Sequence, residues 1–260
     1  MKGARLLLHQ FKFDQKLFWR NPASVFFSVG LPLVFLFLLG AVFGGAAERD
    51  PKYGLLADQY LVPAIMTLGI VSASFVNIAM TITFQRELGV LKRLRGTPLP
   101  TSVFVSARTA SAVVNSALIA FVILIAGRLA YGIEINSTRI IGTLLVIIVG
   151  SVAFCALGFA LTIVIPNQGA ATAITNMITL PLYFVSGVFG ETANLPPVLA
   201  EIGRIFPISH LGALLFETFS PQAQGVIAVQ FSDVANVVAW GLAGFVLAAW
   251  KFRWEPQESL

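Results

Sequence analysis

The sequence predicts an all-α integral membrane protein that crosses the bilayer six times, with both termini in the cytoplasm. Of its 260 residues, 57% are hydrophobic and only 11% are charged. Soluble domains carry about 25% charged residues, so most of this protein's surface must face lipid or other protein. The apolar residues fall in six long runs, and the basic residues concentrate in alternate loops. These observations predict a single transmembrane domain over residues 1–260.

Each of the six apolar runs has a length suited to a membrane-spanning helix. A hydrocarbon core about 30 Å thick requires about 20 apolar residues in a helix. The runs are continuous and do not alternate, which favours helices over the strands of a membrane barrel. The predicted spans are 23–45, 61–84, 103–126, 140–165, 170–189 and 234–250.

The basic residues predict the orientation. An even number of spans puts both termini on one side, and Lys and Arg are enriched in cytoplasmic loops. With the N-terminus inside, 12 of the 17 Lys and Arg residues face the cytoplasm and 5 face outward. We therefore expect an N-in, C-in topology.

The first 22 residues predict an amphipathic helix at the membrane surface. Basic residues recur from Lys2 to Arg20 at spacings of 3, 4, 3, 4 and 4, with His9 among them, whereas Leu7 and Phe18 fall on the opposite side. Such a helix lies in the headgroup region, where its positive face meets anionic lipid or an acidic partner. The candidate contact residues on this face are Arg5, Lys12, Lys16 and Arg20.

Short extracellular helices are expected between spans five and six. Pro196-Pro197 suits the start of one helix, Pro207 suits its end, and Ser209 suits the cap of a second. Two arrangements fit this pattern equally. The helices form a hairpin that dips into the outer leaflet, or they pack as an ordinary amphipathic loop on the spans.

The longest cytoplasmic loop follows span two and predicts a short amphipathic helix. Gly96 suits the end of this helix, and Pro98 lies just beyond it. On a continuous helix, residues at positions 0, 3, 4 and 7 share one face. That face carries Glu87, Val90, Leu91 and Leu94, and another face carries Arg86 and Arg93. By itself, the segment is also typical of a positively charged anchor on the cytoplasmic surface.

This loop resembles the signature of ABC type-2 exporter permeases. The family pattern is an acid or amide, Arg, Glu, a variable residue, Gly, and a Leu-containing basic stretch that ends in Thr-Pro. Gln85 stands where Glu is common. The resemblance extends over nearly the whole chain, including Arg20-Asn21-Pro22 and the segment from Pro181 to Phe189. It is nearest in appearance to the antibiotic-exporter permeases of the daunorubicin-resistance type.

The resemblance implies that the loop helix is a coupling helix, which docks in a groove of an ATPase subunit. Leu91 and Leu94 would insert as apolar anchors, while Glu87 and the Arg residues would fix the orientation through charge pairs. The implied coupling residues are Arg86, Glu87, Val90, Leu91, Arg93, Leu94 and Thr97.

The resemblance also implies the partners and the activity. It implies a bacterial plasma-membrane exporter that moves an amphipathic substrate such as a drug, natural product or lipid-like molecule. Two ABC ATPase subunits would assemble with two permeases, as a homodimer or a heterodimer joined through spans one and five. The sequence contains no Gly-Lys pair and hence no phosphate-binding G-x-x-x-x-G-K-[ST] loop. We therefore expect ATP and Mg to bind the partner ATPase, and we expect this chain to have no catalytic site, cofactor, metal or nucleic-acid partner.

Polar and aromatic residues within the spans are candidates for the substrate path, which the resemblance places along spans one, two and five. Asn77 and Asn176 are mid-span amides, and Phe184 and Phe189 lie near the outer end of span five. Amides in a membrane also pair helices by hydrogen bonds, and phenylalanines also simply pack. Both interpretations stay open for these four residues.

The sequence lacks the residues that three other classes of protein need. An ion-coupled secondary transporter, the main alternative, usually has an ionisable group at mid-depth, whereas Arg108 and the other charged residues lie near the ends of the predicted spans. A membrane enzyme needs convergent catalytic groups, but His9 and His210 are predicted on opposite sides. A channel would need rings of pore-lining charges. The single Cys155 is expected to pack between helices.

Overall fold

The computed structural model describes residues 2–43, 49–133, 139–189, 196–223 and 229–252. Within these residues the chain is helical, and an isolated bridge between Arg49 and Leu56 is the one β-type pairing. The predicted all-α class is confirmed. The helices are α1 (Lys2–Trp19), α2 (Pro22–Val25), α3 (Leu31–Phe43), α4 (Ala57–Val71), α5 (Asn77–Glu87), α6 (Val90–Arg95), α7 (Thr101–Tyr131), α8 (Ile140–Leu161), α9 (Gln168–Val185), α10 (Pro197–Ile205), α11 (Pro207–Phe219) and α12 (Phe231–Lys251), with π-helical segments π1 (Phe26–Gly30) and π2 (Ser72–Val76).

Five helical stretches of the described chain are long and apolar enough to cross a membrane. Span one is π1 with α3, span two is α4 with π2 and α5, and spans three, four and six are α7, α8 and α12. Three of the predicted runs, those of spans two, three and six, underestimate their helices, because these span ends continue into the polar interface. Span four instead ends at Leu161, before the predicted 165. Residues 44–45 of the first predicted span lie outside the described ranges.

Helix α9 occupies the position predicted for span five, although its polar residues keep it out of those five stretches. It begins beside the end of span two, where the Gln168 amide donates to Glu87 Oε2 at 2.7 Å. Just beyond its other end, the Tyr60 hydroxyl donates to the Gly187 carbonyl at 2.7 Å. Helix α9 therefore runs antiparallel to span two, and we refer to it as span five. We call the end of the bundle near Glu87 the inner end and the end near Tyr60 the outer end.

Helices α10 and α11 form a bent pair at the outer end, with an angle of 83° between them. The break at Phe206–Pro207 has the predicted cause, although α11 begins at Pro207 and not at Ser209. Helix α11 packs deeply, because the Leu211 side chain covers Gly150 in the middle of span four. It returns outward to Ser220, whose hydroxyl donates to the Tyr53 carbonyl. The pair therefore packs on the spans and reaches as far as Gly150 of span four, and its insertion into the outer leaflet stays a prediction.

Spans four and six pack in parallel through small residues. A side chain at Gly241 would lie 2.8 Å from the Ala153 Cβ, and one at Gly244 would lie 2.8 Å from the Leu157 backbone nitrogen. Small residues let membrane helices approach until their backbones nearly touch. Spans four and six therefore form a closely packed helix pair.

Candidate functional site

The segment after span two contains a break that the sequence analysis did not predict. Helix α5 ends at Glu87, and α6 begins at Val90 after Gly89, which has a φ of 68°. A left-handed conformation suits glycine because no Cβ opposes it. The expectation of one continuous helix over residues 85–95 is therefore wrong. Glu87 and Arg86 belong to span two, whereas Arg93 and Leu94 belong to the separate helix α6.

The Glu87 carboxylate joins span two to span five. Its Oε2 accepts the hydrogen bond from the first amide of α9, and Asn167 caps the same helix by accepting from Ala170 N at 2.9 Å. A carboxylate at a helix N-terminus interacts favourably with the helix dipole. Glu87 remains solvent-exposed, so the side chain is available to a partner as well as to span five.

Arg86 is placed differently from the prediction. Its side chain is only 2% exposed, and it donates to the carbonyls of Thr162 and Ile165 just after span four. A guanidinium supplies five donors, which suits it to binding carbonyls left free at a helix end. Arg86 therefore fastens spans two and four together, and it offers little surface to an ATPase.

Leu91 is also unsuited to its predicted role as an anchor in a partner. Its side chain is 0% exposed and belongs to a buried cluster with Ile82 of span two, Phe104 of span three and Phe159 of span four. Leu94 packs against the same cluster and is half-buried, as is Val90. The apolar face of α6 thus points into this chain.

The outward face of α6 is basic. Lys92, Arg93 and Arg95 are exposed, and Thr97, also exposed, caps the end of the helix by donating to the Leu94 carbonyl at 2.7 Å. We call these three basic residues together with Glu87 the inner docking surface. Of the predicted coupling residues, Glu87, Arg93 and Thr97 are accessible, Val90 and Leu94 are partly accessible, and Arg86 and Leu91 are not.

Helix α1 has the predicted basic face, and it also forms a hydrogen bond to span three that its amphipathic pattern did not predict. Arg5, Lys12, Lys16 and Arg20 are all exposed, whereas Phe18 is buried on the other side. The Gln15 amide donates to the Ser111 hydroxyl of span three at 3.0 Å. This hydrogen bond therefore attaches helix α1 to the inner half of span three.

A buried ion pair joins the same two helices and was missed by the sequence analysis. Asp14 Oδ2 lies 3.5 Å from Arg108 Nε, and Arg108 Nη2 donates to Gln85 Oε1 at 2.7 Å. Asp14 and Arg108 are 3% and 6% exposed. Burial raises the pKa of Asp14, while Arg108 and a hydrogen bond from Gln10 lower it. The available signal was an acid opposite the basic stripe of α1 and an Arg inside an apolar run.

The four candidate path residues do not meet in one place. Asn77 follows π2 in span two and lines an inner cavity, whereas Asn176 is exposed on span five. Phe184 is 67% exposed, and its ring lies 6.0 Å from that of Phe189, which packs against the core. Asn176 and Phe184 therefore lie on the exposed sides of the bundle, and Asn77 lies in its interior.

Comparisons with known proteins agree with this architecture. The sequence profile of the family described as "ABC-2 type transporter" matches residues 6–219. The "Putative transport permease ycf38" of Porphyra purpurea is 27% identical over 205 residues, which cover 75% of this chain and 68% of that protein. The "Putative transport permease YvfS" of Bacillus subtilis is 23% identical, with 78% of this chain and 81% of that protein covered. The "Inner membrane transport permease YadH" of Escherichia coli K12 is 18% identical over 95% of this chain and 96% of its own length.

These relatives and the apolar helices make the chain a multi-pass protein of the plasma membrane. The profile covers well over half of the sequence, from the surface helix α1 to the end of the outer helical pair. The protein therefore belongs to the ABC-2 type transporter family.

Proposed function

We propose that this chain is the membrane subunit of an ATP-driven exporter and that a separate pair of ABC ATPase subunits binds ATP and Mg and hydrolyses the ATP. Membership of the ABC-2 type transporter family supports the ATPase partner. The absence of a Gly-Lys pair from the sequence supports placing the nucleotide on another polypeptide. The resemblance to exporter permeases supports outward transport of an amphipathic substrate.

The position of α6 supports a mechanism for coupling, in which the ATPase binds the inner docking surface. The observation that carries this proposal is the burial of Leu91 among side chains from spans two, three and four. A displacement of α6 by the partner reaches all three inner span ends through this cluster. The contact between Glu87 and the start of span five extends the movement to the fourth helix. Such a packed unit transmits motion as a rigid-body tilt.

Charge reversal on the outer face of α6 tests this coupling. We expect Arg93→Glu to weaken binding of the ATPase and to abolish stimulated ATP turnover in proteoliposomes, because Arg93 is exposed and opposite charges steer association. Lys251→Glu is the matched control, since Lys251 is an exposed base at the inner end of span six. Normal coupling in the Arg93→Glu variant contradicts the docking surface. Leu91→Asp is unsuitable for this purpose, because a buried carboxylate disrupts the fold.

We further propose that a second copy of the chain packs along spans one and five, as the family resemblance implies. Span five supports this arrangement with an exposed apolar row at helical spacing, formed by Met177, Leu180 and Phe184. Cys155 is fully buried, so an introduced cysteine is the reactive thiol. We expect Met177→Cys to crosslink two copies and Ile141→Cys, exposed on span four, to remain monomeric. Equal crosslinking by both variants contradicts the proposed interface.

A further inference from the structure

His210 lies where three helices meet at the outer end of the bundle. It is in the first turn of α11, just after the break that separates α10 from α11. Its Nδ1 atom lies 2.6 Å from Asp233 Oδ1 at the start of span six. Its Nε2 atom lies 2.7 Å from the carbonyl oxygen of Arg204, near the end of α10. The imidazole ring therefore joins both helices of the outer pair to span six.

Both nitrogens of the His210 ring face hydrogen-bond acceptors. A neutral imidazole carries one N–H, so it donates from one nitrogen and presents a lone pair at the other. The oxygens at 2.6 and 2.7 Å would repel such a lone pair. Flipping the ring over does not remove the conflict, because it would place carbon atoms at these distances, and carbon–oxygen contacts are about 3.3 Å or longer. The geometry therefore requires a proton in each of the two contacts.

The proton between His210 and Asp233 rests on the ring. An imidazole nitrogen is ordinarily more basic than a carboxylate, and a hydrogen bond between charged partners is shorter and stronger than one between neutral partners. The charged ring also suits the second contact, because a cation near the last carbonyls of a helix interacts favourably with the helix dipole. We call the His210 ring, the Asp233 carboxylate and the Arg204 carbonyl the outer latch.

The outer latch holds the end of α10. The last four carbonyls of a helix have no partner within it, and two of them in α10 are bound by other helices. The Arg204 carbonyl contacts His210, and the Ile205 carbonyl accepts a hydrogen bond from Trp240 Nε1 of span six at 2.9 Å. The latch also forms part of the wall of an outer cavity of about 550 Å³, which the helical pair shares with the outer ends of spans two and five. Release of α10 would therefore widen this cavity.

Other titratable groups surround the latch. Imidazole is the side chain whose charge ordinarily changes between about pH 5 and about pH 8. Glu217, two turns further along α11, is a second candidate for titration in this range, because burial raises its pKa and Asp233 raises it further. The Arg204 guanidinium pairs with Glu201 at 2.9 Å on the exposed face of α10. The remaining titratable groups on the cavity wall are Asp50, Lys52, Tyr53 and Tyr60.

We propose that the outer latch is a pH-sensitive contact that opens as the pH at the outer end of the bundle rises. The charged His210 ring makes both hydrogen bonds, whereas the neutral ring makes one. Asp233 selects the form with the proton on Nδ1, because a hydrogen bond to a carboxylate is stronger than one to a carbonyl. The Arg204 carbonyl therefore loses its donor. The latch is complete at acidic pH, and α10 is released as His210 loses its proton. This regulation goes beyond the proposed function, because it requires neither an ATPase nor a transported substrate.

Nitrogen NMR of the 260-residue chain in nanodiscs tests the charge of the ring. The other histidine of the sequence, His9, is exposed on α1. Histidine-selective ¹⁵N labelling of a His9→Gln variant therefore leaves His210 as the one labelled residue. Protonated and unprotonated ring nitrogens differ widely in ¹⁵N chemical shift. We expect both nitrogens to be protonated at about pH 5, and we expect Nε2 alone to have lost its proton at about pH 8.

Hydrogen exchange in the same nanodiscs tests the release of α10. After correction for intrinsic exchange, the protection of the α10 amides should fall about three- to tenfold between about pH 5 and about pH 8, which corresponds to the loss of one hydrogen bond. His210→Gln should remove this pH dependence, because an amide does not titrate in this range. Glu217→Gln is the matched control, since it removes the second titratable candidate and keeps an acceptor for the Gln230 backbone amide. We expect it to retain the pH dependence.

Four results would overturn the proposal. The first two are a neutral His210 ring at about pH 5 and a ring that keeps both protons at about pH 8. The third is loss of the proton from Nδ1 instead of Nε2. The fourth is an unchanged pH dependence of α10 protection in His210→Gln, or its disappearance in Glu217→Gln, which would assign the effect to that carboxylate. If His210→Gln does not fold, the ring signals of the His9→Gln variant decide by the first three criteria.

Discussion

Replacing Arg108 with methionine removes one charge from the buried pair that joins α1 to span three. Methionine keeps the length of the apolar stem, so Asp14 remains buried with only the Gln10 amide, at 3.0 Å, as a described hydrogen-bond donor. Breaking a buried pair by removing one partner costs about 3–5 kcal/mol. We expect the free energy of unfolding at neutral pH, measured by denaturant titration in mixed micelles, to fall by that amount.

This loss should depend on pH in a defined direction. Burial already raises the pKa of Asp14 above its ordinary value of 3.8, and Arg108 opposes that rise. In the Arg108→Met variant, the pKa of Asp14 in the folded state should therefore rise further. A folded protein whose acid has a raised pKa holds its proton more tightly than the unfolded chain does. The stabilisation that protonated Asp14 contributes is therefore fully present below pH 3.8. It is lost as the pH rises through the pKa that Asp14 has in the folded variant.

The double variant Asp14→Leu/Arg108→Met provides the decisive comparison. Removing both members of a buried pair is often neutral or stabilising, so the double variant should recover most of the stability lost by Arg108→Met. The exposed Arg93→Met should change the free energy of unfolding by no more than about 0.5 kcal/mol. The reasoning fails if Arg108→Met matches the wild type at neutral pH, or if the double variant is no more stable than the single one.

Three further substitutions test other contacts. Arg86→Leu removes the donors that join spans two and four, so the free energy of unfolding in mixed micelles should fall by about 2–4 kcal/mol. A loss no larger than that caused by Arg93→Leu, at an exposed position, would contradict this role. Gly203→Ala places a methyl group against the Val185 carbonyl, so hydrogen exchange in α10 should accelerate; unchanged exchange would show that the helices separate freely. Asp233→Asn weakens the 2.6 Å contact between Asp233 and His210 of α11. We expect hydrogen exchange in α11 to become faster, because the free energy that opposes local opening falls by about 1.5–3 kcal/mol. Unchanged exchange would show that this contact does not stabilise α11.

The spans and the surface helix could be predicted because the bilayer imposes local requirements on each segment. A run of about 20 apolar residues is sufficient to indicate a span, and a basic residue at every third or fourth position is sufficient to indicate the exposed face of α1. Both predictions need only neighbouring residues. Span five follows the same rule with a weaker signal, because its threonines and Asn176 lower its hydropathy.

The candidate site was predicted less completely, because its contacts join distant residues. Counting faces on a helix assumed that the helix continued through Gly89, and this assumption placed Arg86 and Arg93 on one surface. The sequence does not show that the carbonyls after span four attract Arg86 inward. The pairing of Asp14 with Arg108 likewise depends on how α1 lies against span three, which no local pattern in α1 specifies.

The packing of span six on span four has a consequence for biosynthesis. Span six leaves the ribosome after span five and the outer helical pair, yet Gly241 and Gly244 fit against span four. During that interval, Ala153 lacks its partner on span six, and we expect lipid to cover it. Contact with lipid leaves no polar group of this small apolar side chain unpaired. Span four is therefore stable in the bilayer before span six is inserted. We therefore expect this helix pair to close only after span six has been inserted.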